Sequence, residues 1–155
     1  MPKSHAASKD LSAWIAALDE RNTKALKRLA RKGPPPPMPD GTPLLHRAGT
    51  RMEVEMLLAC GADPAATDAE GRTALHEAAR KLSLPVLNRL LEEGVYPGVR
   101  CLKGRTPLHE AARTGRLGKA REITERLIEA RTPVDVQDHK KRTAAHYAAK
   151  NGRAG

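Results

Sequence analysis

A phrase of seven residues occurs four times along this chain of 155 residues. The copies occupy residues 42–48 (TPLLHRA), 73–79 (TALHEAA), 106–112 (TPLHEAA) and 143–149 (TAAHYAA). Their starts are 31, 33 and 37 residues apart, from 42 to 73, from 73 to 106 and from 106 to 143. Repeats of this period are typical of stacked arrays, because one small unit cannot bury its apolar face alone. The repeat therefore constrains the fold more than any other feature.

Each phrase has the composition of a helix start. Threonine can cap the first turn, proline or alanine follows where no backbone donor is needed, and paired alanines let another helix approach closely. A second amphipathic segment follows, and Gly94 supplies a left-handed stop in the second unit. The apolar faces of the second and third units comprise Val86, Leu87, Leu90, Leu91 and Ala120, Ile123, Leu127, Ile128. With polar turns at 68–72 and 102–105, each unit is predicted to be helix, turn, helix, turn.

This pattern closely resembles the ankyrin repeat, whose T-P-L-H-x-A-A signature and 33-residue period match the units starting at Thr73 and Thr106 almost letter for letter. The resemblance implies an all-α solenoid of stacked helix-turn-helix units with short finger turns. It covers residues 40 to 155, with repeats from about 40, 71, 104 and 141, the last incomplete. A degenerate capping repeat is expected at 9–33, after a disordered segment 1–8 and before a connector at 34–39. Its two apolar stripes are Leu11, Trp14, Ile15, Leu18 and Ala25, Leu26, Leu29, closed by Gly33.

Three places depart from the regular unit. From Thr42 to Gly61 the first clear unit is two residues shorter than Thr73 to Gly94, which predicts a shortened first helix. The third unit is four residues longer than 33, about one helical turn, so its second helix should project beyond its neighbours. Arg131 and Lys141 stand where a residue able to adopt positive φ is favoured, so we expect an irregular or mobile edge there.

Two segments leave alternatives open. The run Pro34-Pro35-Pro36-Pro37-Met38-Pro39 is expected to replace most of a finger turn with a stiff extended connector. It could instead be a target for a proline-binding module. The last unit contains the first helix of a pair and then Gly155. Either that helix is a sufficient cap, or the chain is a fragment, or a partner covers the exposed face.

Composition limits the class of protein. Trp14, Tyr96 and Tyr147 are the only aromatic residues, so the interior must be built from smaller aliphatic side chains, which suits close-packed helices. Residues 1–10 contain no apolar signal segment and no later stretch could span a membrane, so a soluble protein is expected. Cys60 and Cys101 cannot form a disulfide framework and are expected to be reduced. The expected location is the cytoplasm, or a host cell for a secreted effector.

The candidate catalytic residues have structural interpretations. His46, His76, His109 and His146 are spaced by the repeat period and not by the spacing of metal ligands. In ankyrin proteins this histidine hydrogen-bonds between adjacent turns. Acid and base pairs such as Glu77 with Arg80 and Lys81 are ordinary helix-surface pairs. The sequence also lacks a phosphate-binding glycine loop and a nucleophile elbow, so no catalytic residue, cofactor or metal is expected.

The resemblance also implies a binding surface. Ankyrin partners usually contact the turn tips and the variable, concave-facing positions of the first helix. Carried over position by position, these are Glu70, Arg72, Glu77, Arg80 and Lys81; Leu102, Lys103, Arg105, Glu110 and Arg113; His139, Lys140, Arg142, Tyr147 and Lys150, together with Ala69, Thr114 and Asn151. The tips become more basic toward the C-terminus. We expect Tyr147 to be an anchor whose truncation to alanine weakens binding by about 2 kcal/mol.

Recognition of another protein is the leading functional hypothesis, as an adaptor or inhibitor that is a monomer when unbound. The formal net charge of +10 favours a partner with an acidic patch. An effector or immunity protein that blocks a cognate enzyme is one form of this hypothesis. Nucleic-acid binding is the alternative, although aromatic residues for base stacking are scarce. A homo-oligomer formed through the last unit is a third possibility.

Overall fold

The computed structural model describes residues 3–115 and 117–152. For residues 3–10 and 117 it describes the backbone alone. Within these residues the secondary structure is helical, apart from one isolated antiparallel bridge between Thr67 and Thr73. The elements are α1 (Lys3–Asp19), α2 (Thr23–Ala30), a 3₁₀ helix (Leu44–Arg47), α3 (Arg51–Ala59), α4 (Ala74–Lys81), α5 (Leu84–Glu92), α6 (Pro107–Arg113), α7 (Leu117–Glu129) and α8 (Ala144–Lys150). The all-helical fold is confirmed.

These elements stack as helical hairpins in two layers. The 3₁₀ helix, α4, α6 and α8 contact one another in sequence order and form the layer of first helices. The second helices α3, α5 and α7 form the other layer, and α4 and α6 each pack on the helix that follows them. The arrangement is the predicted solenoid, in which each hairpin buries its apolar stripe against its neighbours.

The hydrophobic core lies between the two layers. Leu75 of α4 is fully buried, and the alanine pairs Ala78–Ala79 and Ala111–Ala112 are buried where α4 and α6 meet. Small side chains at this contact allow the two helices to approach closely. The second helices contribute Val86, Leu87, Leu90, Ala120, Ile123 and Leu127. Each buried aliphatic side chain of this size contributes about 1.5–3 kcal/mol relative to an exposed one.

The N-terminal hairpin packs as the two apolar stripes predict. Trp14 and Leu18 of α1 and Leu26 and Leu29 of α2 are buried in the shared core. The helix α1 begins at Lys3, so helical structure starts earlier than residue 9, where we expected order to begin. Residues 1 and 2 of the expected disordered segment lie outside the described residues.

The two predicted changes in helix length are present. The first helix of the unit at Thr42 is reduced to a four-residue 3₁₀ helix. It ends because the backbone leaves the helical conformation at Ala48, where ψ is 123°. The helix α7 has 13 residues against nine in α5. Ile128, expected on the apolar face of α7, is instead 49% exposed. In the described residues no further second helix packs beyond α7 to cover it.

The expected irregularity at Arg131 and Lys141 is wrong. Both residues adopt left-handed backbone conformations, with φ of 63° and 60°, close to the 70° of Gly71 and the 82° of Gly94. The backbone hydrogen bond from Arg131 N to Ile128 O measures 2.8 Å, and its counterpart from Gly94 N to Leu91 O measures 3.0 Å. The turns keep the same geometry, and the non-glycine residues adopt it at a conformational cost of about 1–2 kcal/mol each.

The proline-rich segment does not replace the finger turn. Met38 N donates to Thr42 O at 2.8 Å and Gly41 N donates to Met38 O at 2.8 Å. The same two bonds close the turn at 68–72, both at 2.9 Å. A complete five-residue fingertip is therefore present at 38–42, and the extended connector is confined to the residues before it.

Candidate protein-binding site

The fingertips are the five-residue turns 38–42, 68–72, 101–105 and 138–142. The last three are joined edge to edge, because Leu102 N donates to Glu70 O at 2.9 Å and His139 N donates to Lys103 O at 3.1 Å. A Cβ atom at Gly104 would lie 2.7 Å from His139 Cδ2, so this close approach requires glycine. The three tips form one continuous row of backbone.

The repeated histidines hold this row to the helices. In α4, Thr73 N donates to His76 Nδ1 at 3.1 Å, so the ring proton is on Nε2, which donates to Arg105 O at 3.0 Å. His109 Nε2 makes the same bond to Arg142 O at 3.1 Å. Burial lowers the pKa of His76 and His109, although the bond to the carbonyl opposes this. The expected hydrogen bond between adjacent turns is confirmed for His76 and His109.

His46 and His146 differ from the two central histidines. His46 Nε2 lies 2.8 Å from Arg72 O, so the bond to the next fingertip is kept in the shortened unit. His46 Nδ1 is buried without a hydrogen-bond partner in the described part of the chain, because the ring stands one place later in its phrase. The side chain of His146 is exposed, and its Nδ1 is bonded to Thr143.

A buried carboxylate lies between two arginines in the second unit. Glu77 Oε1 is 3.3 Å from Arg72 Nη1, and Glu77 Oε2 is 2.7 Å from Arg80 Nη2. Burial alone would raise the pKa of Glu77, but the hydrogen bond from Arg80 and the positive charges around it lower the pKa below its ordinary value. Glu77 is therefore held ionised between the two guanidinium groups.

The third unit repeats this cluster. Glu110 Oε1 is 3.0 Å from Arg105 Nε in an ion pair without hydrogen-bond geometry, and Glu110 Oε2 is 2.8 Å from Arg113 Nη1. Glu110 is only 2% exposed. Glu77, Arg105 and Glu110 were expected to be accessible contact residues, and the structure corrects this because their charges are paired inside the protein.

The fourth unit has Tyr147 in the position of these glutamates. The phenol is 8% exposed, so little of it is available for the anchoring contact that we expected. Two guanidinium groups lie over its ring, with Arg142 Cζ 4.4 Å and Arg113 Cζ 5.8 Å from the ring centroid. Cation–π attraction holds both arginines against the ring. In the free protein Tyr147 is therefore a platform for these two arginines.

The hydroxyl of Tyr147 is directed to Asp138. Burial would raise the pKa of Asp138, but hydrogen bonds from the Tyr147 hydroxyl and from the N–H groups of Arg142 and Lys140 outweigh it and hold the pKa far below 3.8. Burial and the same bond raise the pKa of Tyr147. Asp138 was not among the expected site residues. Its equivalence to Asp68, the first residue of the second unit's fingertip, was the available signal.

A cavity of about 540 Å³ opens above this platform. It lies at the last two fingertips and the C-terminal ends of α6 and α8. Its lining residues are Lys103, Arg105, Arg113, Asp138, His139, Lys140, Arg142, Tyr147, Lys150 and Asn151. Six of these are lysine or arginine and one is aspartate. Lys140 and Lys150 form no ion pair with any described residue, so the cavity presents uncompensated positive charge.

The remaining expected residues lie outside this cavity. Lys103 of the cavity wall pairs with Glu70 on the neighbouring fingertip at 3.2 Å. Lys81 Nζ donates to His46 O at 3.0 Å, which gives this lysine a structural role. Leu102 is 69% exposed at the tip of its turn. The structure therefore divides the expected surface into an internally neutralised half and a basic C-terminal half.

A second cavity of about 290 Å³ lies between the first two fingertips. It is lined by Met38, Asp40, Thr42, His46, Arg47, Asp68, Arg72 and Glu77. Arg72 contacts both Asp68 and Glu77, and Arg47 contacts Asp19, whereas Asp40 forms no ion pair with any described residue. This cavity therefore lacks the uncompensated positive charge of the larger one.

In the described residues, no group of three or more His, Cys, Asp or Glu side chains is arranged to hold a metal ion. No helix in the same part of the chain is long and apolar enough to cross a membrane. Cys60 and Cys101 are buried and not bonded to each other.

Stacked helical hairpins with a joined row of fingertips define a repeat-built scaffold of the kind that binds other macromolecules. A family model of ankyrin repeats, in three copies, matches residues 13–101 and, in an overlapping match, residues 46–122. The chain belongs to the ankyrin-repeat family. Comparison with curated proteins finds no match. Ankyrin repeats generally mediate protein–protein interaction and are typically non-enzymatic.

Proposed function

We propose that this chain is a non-enzymatic adaptor or inhibitor that binds an acidic patch of another protein through its C-terminal basic cavity. The observation that supports the proposal is that the arginines of the second unit are paired with acidic side chains, whereas two lysines at the C-terminal cavity are not. Arg72 and Arg80 are neutralised by Asp68 and Glu77, whereas Lys140 and Lys150 face the 540 Å³ cavity without an ion pair among the described residues. Uncompensated cations in a cleft attract anionic surfaces.

The joined fingertips favour tight binding at this place. The backbone bond between His139 N and Lys103 O and the bond from His109 to Arg142 O hold the cavity walls in position before a partner arrives. Asn151 Nδ2 also donates to Ala112 O at 3.0 Å, which links the end of α8 to α6. A preformed surface loses little conformational entropy on binding.

Affinity capture tests the proposal. The immobilised chain would be incubated with lysate of its source organism at about 0.15 M salt, where exposed charges are screened beyond about 8 Å. We expect one or more proteins to be retained by the unaltered chain and lost from the double variant Lys140→Glu/Lys150→Glu. Mass spectrometry identifies the retained proteins.

The matched control is Lys24→Glu/Lys27→Glu, which makes the same change of charge on exposed residues of α2 at the other end of the stack. This control should retain the partner. Equal loss from both double variants would show that net charge, and not the cavity, governs capture, and would contradict the proposal.

Nucleic acid is the competing ligand class for a basic cavity. Of the two rings in the cavity lining, Tyr147 is 8% exposed and lies under Arg142, which leaves the imidazole of His139 as the exposed ring for base stacking. A gel-shift assay at physiological salt discriminates the two classes, since binding by charge alone weakens steeply as salt rises. Salt-resistant retention of nucleic acid would favour the competing class.

A monomeric state and a cytoplasmic location complete the proposal.

A further inference from the structure

The same position is occupied by glutamate in two units and by tyrosine in the next. Glu77, Glu110 and Tyr147 each stand four residues after the threonine of their phrase. Each is flanked by a basic residue one place before that threonine and another seven places after it. These basic pairs are Arg72 and Arg80, Arg105 and Arg113, and Arg142 and Lys150. The basic pair is present in these three units, whereas the glutamate is lost from the last.

In the two earlier units the carboxylate is shared by its basic pair. Glu110 contacts Arg105 at 3.0 Å and Arg113 at 2.8 Å, one oxygen to each. Glu77 divides its oxygens between its own pair in the same way. The helix arginines Arg80 and Arg113 make the short charge-assisted hydrogen bonds, at 2.7 and 2.8 Å. The fingertip arginines Arg72 and Arg105 lie at ion-pair distance from the same carboxylates, without a hydrogen bond.

The fourth unit cannot make this arrangement by itself. The Tyr147 hydroxyl donates to Asp138, so it offers no negative charge to the basic pair. Asp138 Oδ2 is 3.4 Å from Arg142 Nη2, longer than the 2.8 Å between Asp68 and Arg72. Arg142 Nε is buried without a hydrogen-bond partner in the described part of the chain, as is Arg105 Nε in the third unit, so the units differ in the glutamate that the fourth one lacks. Lys150 forms no ion pair with any described residue.

We propose that a glutamate or aspartate side chain of the partner protein enters the basic cavity and binds between Arg142 and Lys150, in the role that Glu77 and Glu110 have in the earlier units. This inference rests on the proposed function and specifies the chemistry of the partner. A carboxylate is favoured over other anions because the chain twice uses a carboxylate between the same basic pair. The Tyr147 ring lies beneath Arg142 at this site and supports its guanidinium group.

The cavity accommodates more than one side chain. A volume of about 540 Å³ exceeds the needs of a single carboxylate, and Lys140 adds a further uncompensated cation at its wall. The partner segment should therefore carry several acidic residues close together.

The decisive variant is Tyr147→Glu, which places an internal carboxylate where the partner's is expected. A blocked hexaglutamate peptide is the probe, titrated into ¹⁵N-labelled protein at about 0.15 M salt. We expect the unaltered chain to show shift changes confined to the last two fingertips and α8. The variant should bind the peptide about tenfold more weakly or less, since a tenfold change corresponds to about 1.4 kcal/mol.

The variant is expected to fold, because Asp68, Arg72 and Glu77 already form the corresponding arrangement in the second unit. A second variant, Lys150→Glu, alters an exposed residue and gives a test that does not depend on the buried position. It should also reduce the affinity for hexaglutamate about tenfold. Lys27→Glu in α2 is the matched control and should change the affinity less than twofold, a shift of about 0.4 kcal/mol.

Three outcomes would overturn the inference. Hexaglutamate could bind Tyr147→Glu and Lys150→Glu as tightly as the unaltered chain, or its shift changes could be equally large around Lys27. An oligothymidine probe could bind the cavity more tightly than hexaglutamate at the same salt, which would assign the site to phosphate ligands.

The inference and the proposed function can fail separately. Loss of the captured partner from Lys140→Glu/Lys150→Glu but not from Tyr147→Glu would leave the proposed function standing and contradict the carboxylate site. Binding of hexaglutamate that Tyr147→Glu abolishes, with no protein captured from lysate, would support the carboxylate site and contradict the proposed function.

Discussion

The hydroxyl of Tyr147 donates a hydrogen bond to Oδ2 of Asp138 over 2.5 Å. The bond joins the first helix of the fourth unit to its own fingertip. Asp138 also accepts from Lys140 N at 2.8 Å and Arg142 N at 3.0 Å. One carboxylate thus holds the fingertip closed and fixes the ring on which two arginines rest.

Removing that hydroxyl should destabilise the fold. Tyr147→Phe keeps the ring but deprives a buried carboxylate of one donor, and hydrogen bonds to charged groups contribute about 1.5–3 kcal/mol. We expect the free energy of unfolding in urea to fall by about 2 kcal/mol with an unchanged dependence on denaturant. Tyr96→Phe, at an exposed tyrosine, is the control and should have little effect. Equal midpoints for the two variants would show that the bond contributes nothing measurable.

Stability should fall on mild acidification. Burial lowers the pKa of His76 and His109 in the folded state below the ordinary 6.5, so the unfolded chain binds more protons as pH drops through that value. The stabilisation is fully present above pH 6.5 and is lost as pH falls toward the folded-state pKa. The slope should approach about 1.4 kcal/mol per pH unit for each histidine. Thermal unfolding followed by circular dichroism between about pH 5 and 8 measures it.

The variant His76→Gln tests whether the His76 imidazole causes this pH dependence of stability. His76→Gln should lower stability at neutral pH, because the bond to Arg105 O is weakened, but should also flatten the pH dependence. An unchanged slope in this variant would mean that other groups cause the acid sensitivity.

Lys141→Gly should stabilise the protein. Lys141 has φ of 60°, where a side chain costs about 1–2 kcal/mol and glycine has no such penalty. The expected gain is about 1 kcal/mol in the free energy of unfolding, after the greater flexibility of glycine in the unfolded chain is included. Lys140→Gly, at the preceding residue of the same fingertip, is the control and should not stabilise. A lower melting temperature for Lys141→Gly would refute the assignment of strain.

Gly104→Ala should lower the free energy of unfolding by more than the unfavourable backbone conformation alone explains. Gly104 combines φ of 72° with contacts at 2.7 Å to His139 Cδ2 and 3.1 Å to His139 N. Strain and crowding together should cost about 3 kcal/mol. Gly152→Ala has the same φ of 72° but meets no atom within 4 Å, so it reports the backbone cost alone. Similar destabilisation of both variants in urea would show that the fingertip contact relaxes without cost.

Residue spacing predicted most of the fold. The periodic apolar positions placed Leu87 and Ile123 in the core, and the two-residue deficit before Gly61 predicted a shortened first helix. The failures involve residues whose surroundings are supplied by distant parts of the chain. Ile128 matched the apolar stripe of α7, yet no second helix in the described residues lies beyond it. Arg131 and Lys141 stand where glycine was expected, yet the turn hydrogen bonds keep both residues in the left-handed backbone conformation.

By itself, the sequence determined the repeat unit, the capped helix starts and the excess of positive charge near the C-terminus, because these depend on neighbours a few residues apart. Only the tertiary structure decided which charges are available. Glu110 was expected at the surface, but it is buried between Arg105 and Arg113. Tyr147 was expected to offer a large contact area, but it is 8% exposed, with Asp138 at its hydroxyl and Arg142 over its ring. Burial and ion pairing are set by packing between repeats, which spacing along the chain does not specify.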